Sequence, residues 1–336
     1  MSALEIIKYA NLDDMFEPRK HVLAVGRPQS GKTTFLLYCA RKYREQDETI
    51  IVRDIDEFFE FLTLADKEKI IGFFPEGCKI NFEHPNFSQK QFDIMRLETL
   101  FEQFEEESIN LLFLENFFEK PINRVRIWRR FFEEVLKWKR KGRGQEPWCL
   151  IIDEFGDTAP GRGRNWHPEQ LQTAQLIATN QRKFLRHNIR FVAAVHSFRD
   201  ITVPVRKRFD CYFILKNDAS ADDVPDALIN YIQLFPKLAL GKAIFLDSNH
   251  NFNEVTMPQY VRVKKFYDLD LEGAIDEMFE EKTDKRTKLW KDRAMLNLEI
   301  MSRHGINLEE VAKDWNMTPQ SLYELRHDWH HNHFGR

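Results

Sequence analysis

Cysteine is scarce in this chain, charge is balanced, and no apolar run is long enough to cross a bilayer. The 4 cysteines, Cys39, Cys78, Cys149 and Cys211, stand singly, mostly inside apolar runs. That excludes a disulfide framework and a cysteine metal site, and it suits core thiols in a reducing compartment. The 50 basic and 53 acidic residues leave a net charge of −3. Bulk attraction to a polyanion is therefore excluded, and any nucleic-acid contact must come from local patches. The start Met1-Ser2-Ala3-Leu4-Glu5 has neither the basic nor the apolar region of a signal peptide. With no membrane span, the expectation is a soluble protein, cytosolic or carried inside a particle. Aromatics make up 13% of the residues, chiefly phenylalanine, and read as core filling. At 336 residues the chain can bury a large core and make one big domain and a small one.

What is present is a phosphate-binding loop. Gly26-Arg27-Pro28-Gln29-Ser30-Gly31-Lys32-Thr33 fits G-x-x-x-x-G-K-[ST] at every fixed position. A buried-strand run, His21-Val22-Leu23-Ala24-Val25, precedes it, and a helical run from Thr34 to Ala40 follows. Strand, glycine loop and helix form the context in which backbone N–H groups close around phosphates at a helix N-terminus. Lys32 can reach the β- and γ-phosphates of ATP, and the Thr33 hydroxyl can ligate Mg²⁺. Thr34 completes the nucleotide-binding stretch.

A second apolar run, Trp148-Cys149-Leu150-Ile151-Ile152, ends in Asp153-Glu154. A carboxylate at the C-terminal end of a parallel strand points into the ligand crevice of an open α/β sheet. Asp153 fits the Mg²⁺-holding acid and Glu154 the general base that activates water. Having both acids points to hydrolysis rather than to a small-molecule kinase, which would use its substrate's hydroxyl.

Further strands are expected at residues 48–53, 79–83, 189–195 and 210–216, with a terminal hairpin from 243–247 and 254–257. Helical pattern is expected over 88–140 and 169–185. Strands alternating with helices give a mostly parallel sheet flanked by helices. The stretch 124–141 is basic; a solvated helix face and a phosphate-contacting surface are both open readings. Residues 156–166, rich in Gly, Pro and Arg, must form a loop. Beside a catalytic carboxylate, its Arg162 and Arg164 could grip DNA, or the loop could be a plain connection. Beyond about 265 the strands stop: 268–278 and 285–301 look helical, and 306–326 has the form of a helix-turn-helix. Thr318 fits its N-cap and Pro319 the first helical position. Gln320, Tyr323 and Arg326 would face a DNA groove, unless the unit is a clip for protein contacts.

The run Thr179-Asn180-Gln181-Arg182-Lys183-Phe184-Leu185-Arg186, its continuation to the strand that ends at His196, and Asp200-Ile201-Thr202-Val203-Pro204-Val205-Arg206-Lys207-Arg208-Phe209-Asp210 resemble the FtsK/HerA superfamily of DNA-pumping ATPases. The likeness is to its viral genome-packaging branch, that of the poxvirus-like and archaeal icosahedral-virus ATPases, and spans roughly residues 17–260. Two positions depart from the pattern. His196 stands where glutamine is usual, and Lys207-Arg208-Phe209 replaces the segment commonly carrying asparagine. The resemblance implies a P-loop NTPase fold of the RecA/ASCE-like kind, with an N-terminal segment (1–16), a motor domain (17–262) and a helical C-terminal region (263–336). It gives His196 a γ-phosphate-sensing role. It also implies a homo-oligomeric ring in which an arginine acts across the subunit boundary; Arg182, Arg186, Arg206 and Arg208 are the candidates. The function so implied is ATP-driven translocation of double-stranded DNA into a capsid, with Mg²⁺, a capsid vertex or portal protein as partner, and a place in host cytoplasm or virion. A cellular or plasmid HerA-like motor, or a nucleotide-switched DNA-binding regulator, are the rival readings.

Overall fold

The computed structural model describes residues 8–9, 19–53, 60–161, 168–249, 251–257, 271–272, 275 and 320. Its contacts divide the chain into two units, 1–276 and 277–336. The strands are β1 (Lys8–Tyr9), β2 (Val22–Val25), β3 (Thr49–Arg53), β4 (Ile70–Pro75), β5 (Lys79–Ile80), β6 (Phe87–Phe92), β7 (Ile109–Leu112), β8 (Trp148–Ile152), β9 (Ile189–Val195), β10 (Cys211–Ile214), β11 (Lys242–Leu246), β12 (Phe252–Thr256) and β13 (Leu271–Glu272). The helices are α1 (Lys32–Arg44), α2 (Leu97–Phe101), α3 (Pro121–Arg140), α4 (Phe155–Thr158), α5 (Pro168–Arg186) and α6 (Val203–Arg206).

Eleven strands form one sheet in the order β1-β12-β11-β10-β2-β9-β8-β3-β7-β4-β6. Pairing is parallel from β10 through β6 and antiparallel in β10–β11–β12. The central strands β2, β3, β8 and β9 are buried at every position. Strands covered on both faces read as continuous apolar runs rather than alternating ones, which is why they stood out in the sequence. β9 lies between β2 and β8, so the residue that ends β9 falls between the phosphate loop and the acidic pair.

The expected aromatic core is present. Phe35 of α1 stacks on Phe213 of β10 at 3.8 Å between centroids. Phe131 and Trp138 of α3 pack with Phe101 and Trp148 under the sheet. All 4 cysteines are buried and unpaired with one another. No helix among the described residues is long and apolar enough to cross a membrane.

Two expectations are corrected. The span 88–140 is not one helical region: β6, α2 and β7 precede α3. Ile109–Leu112 is fully buried between β3 and β4, so its apolar run belongs to the sheet despite its acidic flank. On β6, the edge strand, Gln89 pairs with the Ile80 N–H and C=O through its amide, a cover for open strand groups that helical periodicity does not reveal. Second, residues 271–272 are strand, pairing with β5, within the stretch expected to be helical; the Ile275 N–H donates to the Phe117 carbonyl at 3.3 Å. These contacts keep the chain in the first unit as far as 276. Part of the charge in the basic stretch 124–141 is met within the chain. Arg126 and Arg129 pair with Glu169 of α5, Arg124 and Arg130 donate to the Phe118 and Met95 carbonyls, and Lys139 is buried over the Trp148 ring. Arg124, Lys137, Arg140 and Lys141 remain exposed. In the second unit the one described residue, Gln320, is helical and exposed.

His21, at the start of β2, is fully buried and neutral by its partners. Its Nε2 faces the Gln181 carbonyl at 3.0 Å, and Nδ1 accepts from the Phe191 N–H at 2.9 Å. Burial lowers its pKa from 6.5 to about 4. The unfolded chain takes up this proton near pH 6.5 and the folded chain not until about 4. Acid therefore favours unfolding across that window, by on the order of 3 kcal/mol through this group. Chemical denaturation from pH 7 to 4 should show a flatter stability profile for His21→Gln than for the wild type; parallel profiles would remove His21 as the cause.

Candidate nucleotide site

The phosphate loop turns between β2 and α1. Gln29 has φ 61° and Gly31 φ 105°, the left-handed region that glycine adopts freely. Gly26 is a glycine for another reason: a Cβ there would lie 2.3 Å from Ser30 Oγ and 2.8 Å from Leu215 Cβ. The loop is anchored by Gly26 N–H to the Val195 carbonyl at 3.2 Å and Arg27 N–H to the Lys216 carbonyl at 3.0 Å. It is thus tied to the ends of both flanking strands. Arg27, Pro28 and Gln29 are exposed at its rim. Ser30 Oγ is buried without a hydrogen-bond partner. An orphaned donor in a cradle of backbone amides at a helix N-terminus fits a phosphate. Thr34 lies one residue further, in the first turn of α1.

Lys32, Thr33, Asp153, Glu154 and His196 come together here. The Thr33 hydroxyl donates to Asp153 Oδ2 at 3.2 Å. Lys32 Nζ lies 2.8 Å from His196 Nδ1, and His196 Nε2 lies 2.8 Å from Glu154 Oε1. An ammonium can only donate, so Nδ1 accepts and Nε2–H donates to the carboxylate. One imidazole thus bridges the loop lysine and the acid at the end of β8. Lys32 is 6% exposed, and burial lowers its pKa, opposed by Asp153, Glu154 and Asp200. The Glu154 pKa is raised, first by burial and then by Asp153; His196 and Lys32 act against that rise. A carboxyl pushed upward is a better base once ionised. Glu154 sits at φ 45°, ψ 45°, an uncommon conformation for a non-glycine residue, and caps the single turn of α4.

A hydroxyl beside a carboxylate is a hard-oxygen pair that suits Mg²⁺ held jointly with substrate phosphates. Among the described residues no group of three or more His, Cys, Asp or Glu stands together as a metal cage.

The proposed arginines divide. Arg182 and Arg186 of α5, and Arg208, are exposed. Arg206 is corrected as a finger acting across a subunit boundary. It is 6% exposed, and its guanidinium donates to the Phe198 carbonyl at 3.0 Å and the Asp222 carbonyl at 3.2 Å of its own chain. Arg162, Arg164, Tyr323 and Arg326 lie outside the described residues. Asp200 was missed as a site residue. It closes a capping box with Ser197, and its backbone packs on Gly156, where a Cβ would meet the Asp200 carbonyl oxygen at 3.1 Å. The spacing Ser197-x-x-Asp200 was a readable signal for it.

The fold and this site define a nucleotide-binding protein of the P-loop NTPase class. No family model matches the chain, and no curated protein matches its sequence. Among solved structures it is similar to the genome packaging NTPase B204 from Sulfolobus turreted icosahedral virus 2 in complex with AMPPCP. There the TM-score is 0.45 and identity 12%, over 73% of this chain and 100% of that one. It is also similar to the bacterial conjugative coupling protein TrwBΔN70, at TM-score 0.48 and 11% identity, over 75% of this chain and 88% of that one. The cytoplasmic domain of the Thermomonospora curvata type VII secretion ATPase EccC matches at 0.42 and 10%, over 72% of this chain and 24% of that one.

Two outcomes follow from the geometry. Gly26→Ala should weaken nucleotide binding at least about tenfold, because the Leu215 Cβ belongs to a strand end and cannot swing aside. Equilibrium binding of a fluorescent ATP analogue checks this; wild-type affinity would show that the loop tolerates the methyl group. His196→Gln should retain turnover within a few-fold, since an amide offers the same acceptor and donor, whereas His196→Leu should lose it. Equal loss in both variants would assign a role to the ring itself rather than to the bridge.

Proposed function

We propose that the chain is an ATP-driven translocase of double-stranded DNA, the motor that packages a viral genome into its capsid. The observation that carries the ATPase part is the Lys32–His196–Glu154 bridge beside Thr33 and Asp153. The DNA and capsid parts are supported by the sequence resemblance to the packaging branch of the FtsK/HerA superfamily.

Lys32 and the loop amides bind the phosphate chain. Thr33 and Asp153 would hold Mg²⁺, which supplies positive charge to the β- and γ-phosphates. Glu154 takes the proton of the attacking water, and His196 orients Glu154 and responds to the γ-phosphate. The subunits form a ring, and Arg182, Arg186 or Arg208 of one subunit stabilises charge at the site of the next. Arg162 and Arg164 grip the DNA backbone without reading sequence. Gln320, Tyr323 and Arg326 add a second DNA contact in the C-terminal unit. A cellular or plasmid motor would share this chemistry and differ in its partner, a nuclease in place of a capsid vertex or portal.

Glu154→Gln should bind ATP at wild-type affinity and release almost no phosphate, while Lys32→Ala should fail to bind. Double-stranded DNA of any sequence should raise wild-type hydrolysis several-fold. That stimulation should fade between about 50 and 200 mM salt, because counterion release drives phosphate contacts. Alanine at Arg162 and Arg164 should reduce stimulation and spare basal turnover. Hydrolysis that depends on Glu154 but ignores DNA would retire the translocase and favour the nucleotide-switched regulator.

A further inference from the structure

Arg53 ends β3, directly beside Ile152 of β8 in the sheet register. It is 4% exposed, an unusual place for a guanidinium. It pairs with Glu115, which follows β7, and donates through a second nitrogen to the Thr158 hydroxyl at the end of α4. Its guanidinium lies over the Trp128 ring of α3, 5.0 Å from the centroid. One side chain thus joins the ends of two strands, a helix of the outer layer and the single turn that begins immediately after Glu154.

That turn has little of its own to hold it. α4 is four residues long, and its cap, Glu154, is in the left-handed region. Strained conformations of this kind persist where neighbouring structure over-determines them. The backbone of Asp200 packs on Gly156. Phe155 is buried, the Thr202 N–H donates to the Ala159 carbonyl at 3.2 Å, and Arg53 adds a side-chain anchor at Thr158. A planar fork with several donors can bind a carboxylate and a hydroxyl at once, which an ammonium does less well.

We infer that Arg53 is a positioning residue for Glu154: held by Glu115 and Trp128, it fixes α4 through Thr158 and so sets the direction of the carboxylate at the head of that turn. The inference rests on the assignment of Glu154 as general base. The contact that joins Arg53 to the turn headed by Glu154 is the one to Thr158, and this makes the inference separable from the stability of the buried Arg53–Glu115 pair.

The test is Thr158→Val against Thr158→Ser in the full-length protein, with steady-state ATP hydrolysis, nucleotide affinity and unfolding midpoint measured together. Loss of the hydroxyl at constant volume should lower kcat about tenfold to a hundredfold, the scale of a misplaced catalytic group. KM and nucleotide affinity should stay within about twofold, and serine should restore most of the rate. Should the valine variant fold poorly, Arg53→Lys keeps the charge facing Glu115 while giving up the fork, and it should show the same loss confined to kcat. Unchanged kcat, equal loss with valine and serine, or an effect on KM alone would overturn the inference. The companion Glu154→Gln separates the two levels: if it is inactive while Thr158→Val is normal, the positioning role fails alone. If it retains full turnover, the general-base assignment fails and the inference with it.

Discussion

Two adjacent carboxylates at the end of a buried strand are a charge problem, and the site is built around its solution. Burial and the neighbouring Asp153 both raise the cost of ionising Glu154. The compensating charge is Lys32, itself depressed by burial and sustained by these same acids. Asp153 accepts the Glu154 N–H at 2.9 Å and the Thr33 hydroxyl; Glu154 accepts from His196. The phosphate loop, the acid strand and the strand between them are thereby mutually dependent.

Those parts were also the most legible in the sequence. β2, β3, β8 and β9 are continuous apolar runs because they are covered on both faces, and the glycine loop and acidic pair stand at their ends. The other half of the sheet was harder to read. β4 contains Gly72 and ends at Pro75, and β6 carries Ser88, Gln89, Lys90 and Gln91 on an edge. Their strand character comes from pairing with each other, and of β4 with β7, rather than from local pattern. The basic stretch of α3 was hard to read for a related reason: composition gives the charge but not the acid that meets it. Glu169, which neutralises Arg126 and Arg129, lies 43 and 40 residues away in the chain.

Arginine is where sequence reasoning had least purchase, because one side chain serves so many purposes. The structure sorts several by burial. Arg206 and Arg53 are interior, each spent on groups of its own chain. Arg190 pairs with Glu48 at 2.7 Å beneath the sheet and lies 4.3 Å from the Tyr43 ring centroid. Arg182, Arg186 and Arg208 stay exposed. A guanidinium already holding two carbonyls would leave them unsatisfied on departure, a penalty that an exposed arginine does not face. A role across a subunit boundary, as proposed above, would therefore fall to the exposed set.

His196, at the end of β9, stands where the ATPases that the sequence resembles usually carry glutamine, and the two side chains can be compared through the hydrogen bonds made here. A glutamine amide presents one acceptor oxygen and one donor nitrogen from a common carbon. A neutral imidazole presents one acceptor and one donor from a common ring. In both, the acceptor can face Lys32 and the donor Glu154, so the pattern of hydrogen bonds survives a change of residue type. The difference lies in protonation. An amide keeps its acceptor at every pH, whereas a protonated ring has two donors and nothing to offer Lys32. The bridge in this chain therefore requires the ring to be neutral. It draws on Lys32 as donor and Glu154 as acceptor to select the Nε2–H tautomer, the same two charges that the rest of the site exists to balance.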